Sequence, residues 1–386
     1  MLRPSLLAAG LVGLLATAPA QAEPPVFPYN VPEVSGVKLT MVAGGLERPW
    51  GMTWLPNGDM LITEKAGRLR LLRDGQMRRA PIAGVPVVLS SGQGGLLDVA
   101  VHPDFEANSF VYLSYSAGDR EENATRVARA RFDGERLNDL EVIFEARPLK
   151  RGTAHYGSRL LFLPDRTLLI SVGDGGNPPI SYNGEFIRLQ SQNLDSRLGR
   201  LLRINDDGTI PDDNPFVSDP AADSASWTYG NRNIQGLARD PVTGQVWANE
   251  HGSRGGDEIN RMAPGNNYGW PLATYSEEYS GGQISPYTEL PGMVTPIVVW
   301  TPSIAPSGMA VYRGAAIPEW QGDLFSGGLR SQDVRRTRLD SDGNVLGEER
   351  IRIGARVRDV AEGPDGHLYI LTDEGRRRLI RIDPAS

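Results

Sequence analysis

The sequence predicts an all-β fold, a six-bladed β-propeller with four-stranded antiparallel blades. Three observations indicate it: 45 glycines and 29 prolines are spread along the 386 residues, a paired two-strand unit recurs six times, and no linker or shift in composition divides the chain. Evenly spread turn residues are typical of many short strands. A multi-strand unit that recurs at intervals of roughly 45 to 80 residues is typical of propeller blades with loop insertions of different lengths.

The repeated unit begins with an apolar residue and a proline-centred turn that leads into a strand rich in Leu, Ile, Val and Tyr. The six turns are Trp54–Gly58, Val101–Asp104, Leu163–Asp165, Asp240–Pro241, Ile317–Glu319 and Gly363–Gly366. A second strand follows each turn, and in it apolar and charged residues alternate. These second strands are Leu69–Leu72, Val127–Phe132, Leu201–Ile204, Glu258–Arg261, Val334–Arg338 and Leu379–Ile382. Because successive side chains point to opposite faces of a strand, the alternation predicts one face in a core and the other in water.

Closure of the ring has its own candidate. The sixth unit ends near Ile382, one strand short of four, and we expect Val37–Val42 to form the missing outer strand. Pairing the two ends would protect edges that an open ring exposes. A β-sandwich with similar turns is the alternative fold, but a sandwich gives no reason for a paired unit to recur six times.

The first 22 residues have the pattern of a secretory signal peptide. Arg3 precedes an apolar run from Leu6 to Ala18, and small residues at Ala20 and Ala22 stand where a signal peptidase reads. A membrane anchor is the alternative, but the run is shorter than the roughly 20 residues that a bilayer span needs. We therefore expect residues 1–22 to direct export to the periplasm and residues 23–386 to form a single catalytic propeller domain. Because the chain has no cysteine, its core must stabilise that domain without disulfides.

The charge of the chain narrows the choice of partners. The net charge of −7 comes from interleaved basic and acidic residues. This distribution offers no basic face for nucleic acid and no cationic amphipathic helix for a membrane. Small molecules are therefore the expected partners.

Five loop segments contain the residues that could carry chemistry. The loops of a propeller form the mouth of its central channel, so unusual residues there are candidates for function. Arginine binds carboxylates through two parallel hydrogen bonds, and a histidine among guanidinium groups should have a lowered pKa and act as a base at neutral pH. The residue types therefore predict an anion site with a possible general base, although arginines that only keep the surface hydrated would also fit. The segments are Ser91–Leu97, Ala154–Arg159, Gly230–Gly236, Glu250–Asn260 and Arg356–Val360.

The same segments, in the same order, resemble those of the soluble aldose sugar and glucose dehydrogenases that depend on pyrroloquinoline quinone (PQQ). The resemblance extends roughly from Leu46 to Asp383, through Gln-Gly-Gly-Leu-Leu, His-Tyr-Gly-Ser-Arg-Leu, Asn-Arg-Asn-Ile-Gln-Gly, Glu-His-Gly and Asn-Asn-Tyr-Gly-Trp-Pro. Each motif alone is weak, but together they are specific. The resemblance implies oxidation of aldose sugars at C1 to lactones, with PQQ and Ca²⁺ as cofactors and an electron acceptor that it does not identify.

The resemblance also assigns roles to residues of this chain. It implies that His155 is the general base, which takes the proton of the anomeric hydroxyl while hydride passes to the quinone. The residues that it implies for binding the quinone are Gln93, Arg232, Asn233, Arg356 and Arg358.

The calcium sites and one further cofactor contact also come from the resemblance. It implies one calcium ion on the backbone carbonyls of Gly252 and Ser253, and a second on the side chain of Glu258 and the backbone of Tyr268. This chain departs from the family pattern at Ser253, where proline is common. It also departs at Arg330, where a lysine commonly approaches the cofactor, and a guanidinium fork does not have the geometry of a point charge.

Two other functions compete with sugar oxidation. A calcium-dependent lactonase or esterase propeller would hold its metal on the channel axis with acidic and amide side chains, where this chain has arginines. A propeller that binds sugar without catalysis shares the fold, but the presence of His155 with Arg232 and Asn233 argues against it.

Several details stay open at this point. His251 is either a hydrogen-bonding neighbour of the calcium loop or an alternative base, and Trp300 lies either in the core or against the substrate or cofactor. The segments Tyr182–Gln192 and Tyr275–Pro286 are expected substrate loops, but they do not predict the sugar. The sequence fits a monomer or a dimer equally well.

Overall fold

A computed structural model describes residues 23–176, 178, 180–373 and 378–385, so the expected signal peptide, residues 1–22, lies outside the described part. Strands predominate in these residues. The helices are an α-helix at Phe105–Asn108 and 3-10 helices at Ile187–Ser191 and Pro318–Trp320. None of the helices in the described ranges has the length and apolar character to cross a membrane.

The strands form six sheets around a ring, which we call blades 1 to 6 in chain order. Blades 1, 2 and 5 are four-stranded antiparallel meanders, as the sequence predicts. From the innermost strand outward, these blades consist of Pro49–Trp54, Met60–Glu64, Arg68–Arg73 and Gln76–Met77 in blade 1, Leu96–Val101, Phe110–Gly118, Asn123–Phe132 and Leu137–Glu145 in blade 2, and Pro306–Val311, Leu324–Gly328, Asp333–Leu339 and Val345–Arg352 in blade 5.

Blades 3, 4 and 6 vary this plan. Blade 3 has three paired strands with a single bridge from Leu202 to Ser226 at its outer edge, and the short hairpin Ser181–Tyr182 and Glu185–Phe186 precedes its last strand. Blade 4 carries an additional strand, Val26–Phe27, parallel to its outer strand. From the inside outward, the strands are Leu160–Phe162, Leu168–Val172 and Arg200–Ile204 in blade 3, Ile234–Arg239, Val246–Glu250, Asp257–Met262 and Val298–Trp300 in blade 4, and Val357–Glu362, Leu368–Thr372, Arg378–Pro384 and Val37–Gly44 in blade 6.

The ring closes by the predicted route. Val37–Gly44 pairs antiparallel with Arg378–Pro384, so that Leu39 lies opposite Ile382. The innermost strands contact one another in chain order, and the innermost strand of blade 6 contacts that of blade 1. The prediction of a six-bladed propeller is therefore confirmed, and the fourth strand of blade 6 comes from the start of the described chain.

The apolar core is divided among the interfaces between blades. A cluster of buried apolar side chains lies at each of the six interfaces, including the one between blades 6 and 1. In blade 1, Leu61 packs in a cluster with Val99 of blade 2, whereas the next residue, Ile62, packs in a cluster with Leu371 of blade 6. Both faces of a blade are thus covered by its neighbours, and Met60–Glu64 is buried at every residue.

The expectation that one face of each second strand lies in water is wrong in blade 3 and for most of that strand in blade 5, whereas in blade 2 Arg131 is exposed. Arg200–Ile204 is buried at every residue, including its two arginines. Buried arginines of these strands have hydrogen-bond partners inside the protein. In blade 3, Arg200 Nη1 donates to Ser226 Oγ at 2.9 Å, and in blade 5 Arg335 Nη1 lies 2.7 Å from Glu348 Oε1. A charged side chain can occupy the interface between two sheets only with such partners.

Candidate active site

A polar cavity of about 220 Å³ lies on the axis of the ring, since residues from all six blades line it. Its walls carry four cationic side chains, those of Arg48, Lys65, Arg356 and Arg358, and the carboxylate of Asp373. This excess of positive charge makes the cavity a site for an anion.

Three of the residues expected to bind the quinone line this cavity: Gln93, Arg356 and Arg358. Arg358 Nη2 donates to Asp373 Oδ2 at 3.0 Å, and Arg356 Nε lies 4.0 Å from the same oxygen. Burial lowers the pKa of Arg358, but a guanidinium remains charged in proteins. One carboxylate thus faces two guanidinium groups, which leaves net positive charge for a ligand.

His155 lies beside the cavity in a tight turn. Its backbone has a φ of +52°, and Gly157 follows with a φ of +62°. A Cβ on Gly157 would lie 2.7 Å from the carbonyl oxygen of Ser171, so only glycine fits there. The backbone N–H of His155 donates to Gln93 Oε1 at 2.8 Å. The His-Tyr-Gly motif thereby holds the histidine against a residue of the cavity wall.

The imidazole of His155 is paired with a buried carboxylate. Nδ1 lies 2.5 Å from Asp174 Oδ1, and the other oxygen, Oδ2, accepts a hydrogen bond from Trp270 Nε1 at 2.9 Å. Burial lowers the pKa of His155 below its usual value, although the Asp174 carboxylate opposes this effect and Arg232 adds to it. Burial raises the pKa of Asp174, but its interactions with His155, Arg232 and the backbone N–H of Gly176 together lower it below its usual value. At neutral pH the pair is therefore a neutral imidazole with an ionised aspartate.

Arg232 lies against the Glu-His-Gly turn. Its Nη1 donates to the carbonyl oxygens of His251 at 3.0 Å and Gly252 at 2.5 Å, and its Nη2 donates to Ser253 Oγ at 2.9 Å. The guanidinium also packs over the ring of Trp270, with its carbon 5.1 Å from the ring centre. The structure therefore brings together Arg232 and both residues of the first predicted calcium site.

Asn233 connects the same turn to the His155 segment, since its Oδ1 accepts a hydrogen bond from the backbone N–H of Gly157 at 3.1 Å. Arg330 is not brought to the cavity. Its side chain is exposed, its guanidinium lies 5.9 Å from the ring centre of Tyr29, and only its neighbour Leu329 reaches the cavity wall. Trp300 belongs to the core: it is fully buried, and its Nε1 donates to Glu348 Oε2 at 2.6 Å.

The residues of the second predicted calcium site line a small separate cavity of about 10 Å³, roughly the volume of one water-sized sphere. Glu250 and Glu258 lie opposite each other on neighbouring strands of blade 4, and Asn260 Nδ2 donates to both carboxyls, at 3.1 and 3.2 Å. Burial, together with the Glu250 carboxylate, raises the pKa of Glu258 well above its usual value. Gly252, Tyr268 and the cationic Arg232 are among the other residues that line this cavity.

Sequence reasoning missed three residues of the site, Lys65, Asp174 and Trp270, and a neighbouring lysine, Lys150, whose Nζ lies 3.8 Å from the ring centre of Tyr156 in the cavity wall. Asp174 follows directly on the second strand of blade 3, and Trp270 lies in the Asn-Asn-Tyr-Gly-Trp-Pro motif, so position in the fold was an available signal for both. The two lysines had a different signal, because the chain has only three lysines against 37 arginines. Both are buried, and burial lowers the pKa of each to about 7.

A propeller that gathers cations and a histidine–aspartate pair around its axis has the arrangement of an enzyme that acts on a small anionic molecule or cofactor at the centre of the ring. Comparison with known proteins agrees: residues 46–381 match the family described as Glucose / Sorbosone dehydrogenase. The chain belongs to this family and is an oxidoreductase.

Three similar proteins cover nearly the whole chain. The aldose sugar dehydrogenase YliI of Escherichia coli is 40% identical over 359 residues, which span 90% of this chain and 93% of that protein. A crystal structure of the soluble aldose sugar dehydrogenase of Escherichia coli in the apo-form has a TM-score of 0.84 at 39% identity, and covers 90% of this chain and 99% of that one. The PQQ-bound form of the aldose sugar dehydrogenase of Streptomyces coelicolor has a TM-score of 0.73 at 29% identity, and covers 91% of this chain and 99% of that one.

Proposed function

We propose that this chain oxidises aldose sugars at C1 to lactones, with PQQ and Ca²⁺ as cofactors and His155 as the general base. The names of its relatives support the reaction, and the PQQ-bound relative from Streptomyces coelicolor supports the first cofactor. The observation that carries the proposal is the His155–Asp174 pair beside a cavity lined by four cationic side chains.

The residues fit a quinone with several carboxylates. Among the buried polar atoms that have no hydrogen-bond partner in the described part of the chain are Arg232 Nε, Asn233 Nδ2 and Arg358 Nε. All three are donors, and all belong to residues expected to bind PQQ. A buried donor without an acceptor is costly, and carboxylate or quinone oxygens would remove that cost. Together with Gln93 and Arg356, these residues would hold the cofactor through charge-assisted hydrogen bonds.

The fit to calcium differs between the two expected sites. At the second, the buried carboxyl of Glu250 faces the half-buried carboxyl of Glu258 beside a cavity of the size of one ion. Backbone and carboxylate oxygens are the ligands that Ca²⁺ prefers. At the first, the carbonyl of Gly252 already accepts a hydrogen bond from Arg232. A carbonyl oxygen has two lone pairs, so Gly252 could accept this hydrogen bond on one and bind the ion with the other, but the positive charge of the Arg232 guanidinium would oppose the ion.

When bound, PQQ would supply the hydride acceptor for C1 of the sugar, and Ca²⁺ would supply a Lewis acid beside the quinone. The side chains supply the rest. With Nδ1–H donating to Asp174, the Nε2 lone pair of His155 is free to take the proton of the anomeric hydroxyl, and Asp174 stabilises the imidazolium that forms. The guanidinium groups of Arg232 and Arg358 stabilise negative charge that develops at the cofactor.

We also propose that residues 23–386 act as one catalytic domain and that residues 1–22 direct it to the periplasm, where an electron acceptor reoxidises it. The extent of the family match, from residue 46 to 381, supports a single domain. Membership of a dehydrogenase family argues against the lactonase alternative.

Reconstitution of the purified chain tests the proposal. Reduction of a redox dye with glucose and a panel of mono- and disaccharides should require both PQQ and Ca²⁺, because the cofactor is held without a covalent bond. Oxidation of sugar in excess chelator without PQQ would contradict the cofactor assignment. Sugar binding without dye reduction would indicate the non-catalytic propeller, and hydrolysis of a lactone would indicate the lactonase.

A further inference from the structure

The family resemblance assigns no role to two cationic residues of the axial cavity, Arg48 and Lys65. Arg48 is exposed, whereas Lys65 is buried. We propose that Lys65 is an additional cofactor-binding residue, whose ammonium group binds an oxygen of the anionic cofactor in the axial cavity and takes up a proton when the cofactor binds. This inference rests on the proposed function, and its test separates the two.

The position of Lys65 is fixed at three points. It follows directly on Met60–Glu64, its backbone N–H donates to the carbonyl of Arg48 at 3.1 Å, and its own carbonyl accepts from the N–H of Leu96 at 3.1 Å. Its Nζ donates to the carbonyl oxygen of Gly92 at 2.8 Å. The ammonium is therefore tied to the loop that carries Gln93, and it cannot move into solvent without breaking these contacts.

The approach of this loop to Lys65 depends on a glycine. A Cβ on Gly95 would lie 2.2 Å from the Lys65 carbonyl oxygen, and Gly95 has a φ of +150°. The Gln-Gly-Gly motif thus serves to bring a loop of blade 2 against the end of a strand of blade 1. The result is a lysine whose side chain is almost wholly buried, at 4% exposure, and yet lines the cavity.

The chemistry of the ammonium suits an anion. An ammonium has three N–H donors, of which one points to Gly92 O. The carboxylate that faces it, Asp373, is shared with Arg356 and Arg358. The protonated amine therefore has two further donors and a positive charge with which it can bind an anion in the cavity that it lines.

The surroundings of Lys65 also explain how a lysine at this position differs from an arginine: a lysine can gain or lose a proton near pH 7, whereas an arginine stays charged. The charged and titratable groups that face it are Arg48 before blade 1, Arg356, Arg358 and Asp373 of blade 6, His251 of blade 4 and Tyr156 at blade 3. Burial, followed by the charges of Arg358 and Arg48, lowers the pKa of Lys65 to about 7. A bound anion favours the protonated form. Above pH 7, cofactor binding must therefore be accompanied by uptake of a proton, and its affinity should fall as the pH rises.

Titration of PQQ into the calcium-loaded chain without sugar tests this, with tryptophan fluorescence as the readout between pH 6 and 9. For the wild type, the Kd should increase by up to about tenfold per pH unit above pH 7. Lys65→Arg remains charged, so its Kd should lose most of this slope. Lys65→Met should also lose the slope and bind about 10- to 100-fold more weakly at pH 6, through loss of a charge-assisted hydrogen bond. Lys38→Met, at an exposed position of the outer strand of blade 6, is the matched control.

Calorimetric titration at pH 8 in two buffers of different ionisation enthalpy measures the proton directly. The wild type should take up a proton that Lys65→Arg does not. Equal proton uptake in both, or equal Kd of wild type and Lys65→Met at pH 6, overturns the role of Lys65 while PQQ binding by the wild type still supports the proposed function. No PQQ binding by the wild type at any pH overturns both. Thermal unfolding of each apo form identifies a variant that binds weakly because it is unfolded. If Lys65→Met is such a variant, the pH dependence of the Kd of Lys65→Arg tests the role of Lys65 instead.

Discussion

At the scale of single residues, His155 is fixed in one orientation by its backbone conformation and by two hydrogen bonds. Its backbone lies in the left-handed region, its N–H is bonded to Gln93, and its Nδ1 is bonded to Asp174. The alternative base, His251, has Nε2 2.6 Å from the carbonyl of Pro306, so that nitrogen carries the proton and Nδ1 is left as the acceptor. His155 differs in being paired with the Asp174 carboxylate, which fixes the tautomer, leaves Nε2 as the acceptor and would stabilise an imidazolium better than a carbonyl does.

Replacing the base should separate turnover from cofactor binding. We expect His155→Gln to lower kcat by roughly 10²–10⁴ while PQQ still binds, because glutamine keeps hydrogen bonding but cannot accept the proton. Dye reduction measures the rate, and PQQ titration measures binding. His367→Gln, in the proline-centred turn of blade 6, is the control and should keep normal turnover. Near-normal turnover of His155→Gln with saturating PQQ and Ca²⁺ would mean that another residue is the base.

Replacing Arg232 should mainly weaken the binding of PQQ. We expect Arg232→Ala to weaken PQQ binding by about 1.5–3 kcal/mol, since one charge-assisted contact is lost and its acceptor is left unpaired. The change should appear as a shift of the PQQ saturation curve to higher concentration. Arg151→Ala, at a largely exposed arginine, should leave the curve in place. Equal saturation curves for Arg232→Ala and the wild type would place Arg232 outside the cofactor site.

At the scale of structural elements, an ion pair joins the two expected substrate loops. Arg188 Nη1, at the 3-10 helix after the hairpin of blade 3, lies 2.6 Å from Glu278 Oε1. The Arg188 guanidinium also packs 4.8 Å from the ring centre of Phe186 and 5.9 Å from that of Trp270, which in turn donates to Asp174. The two loops are thus connected to each other and, through Trp270, to the carboxylate that orients the base.

Loosening this connection should raise KM more than it changes kcat. In Glu278→Gln, the ion pair is replaced by a neutral contact, so the loops lose order in the free enzyme and must be ordered when sugar binds. We expect the KM for sugar to increase by about 3- to 10-fold, with kcat and PQQ affinity nearly unchanged. Glu277→Gln changes the exposed neighbour and should leave KM unchanged. A large fall in kcat with constant KM would show instead that the pair acts on the catalytic step.

At the scale of the whole molecule, one buried arginine connects the innermost strands around the axis. Arg159 Nη1 lies 3.3 Å from Asp98 Oδ1 of blade 2, and Nη2 lies 2.9 Å from Asp359 Oδ1 of blade 6. Its Nε donates to the carbonyl of Gln235 in blade 4 at 2.6 Å, and its guanidinium stacks over Trp50 of blade 1 at 4.3 Å. Since Trp50 lines the cavity, this cluster closes the channel beneath the site and holds five blades together.

Removing this charge should destabilise the ring strongly. We expect Arg159→Met to lower the free energy of unfolding of the apo form by about 3–5 kcal/mol at pH 7.5, because two carboxylates are left buried without their cation. Burial already raises the pKa of Asp359 to about 6 and raises that of Asp98. Loss of Arg159 raises both further, so their penalty is present above the folded-state pKa and disappears as the pH falls and the carboxyls become protonated.

The loss of unfolding free energy caused by Arg159→Met should therefore be smaller at pH 5 than at pH 7.5. Denaturant unfolding of the variant, the wild type and the exposed-residue control Arg79→Met at both pH values measures it. A loss of less than 1 kcal/mol at pH 7.5 would mean that the blades are held by the apolar clusters between them and not by this cluster of charges.

The sequence by itself determined the number of blades, the strand Val37–Val42 that closes the ring, and the loops that carry the site. These follow from turns and strand patterns that are local and periodic, and the binding residues followed from motifs that resemble a family. Only the tertiary structure decided that Lys65 and Asp174 belong to the site, that Arg330 does not reach the cavity, and that charged second strands are buried. The physical reason is that the alternation of residues along a strand shows that its two faces differ, but not which neighbouring blade covers each face. Closure of the ring alone determines which loop residues of the six blades meet on the axis.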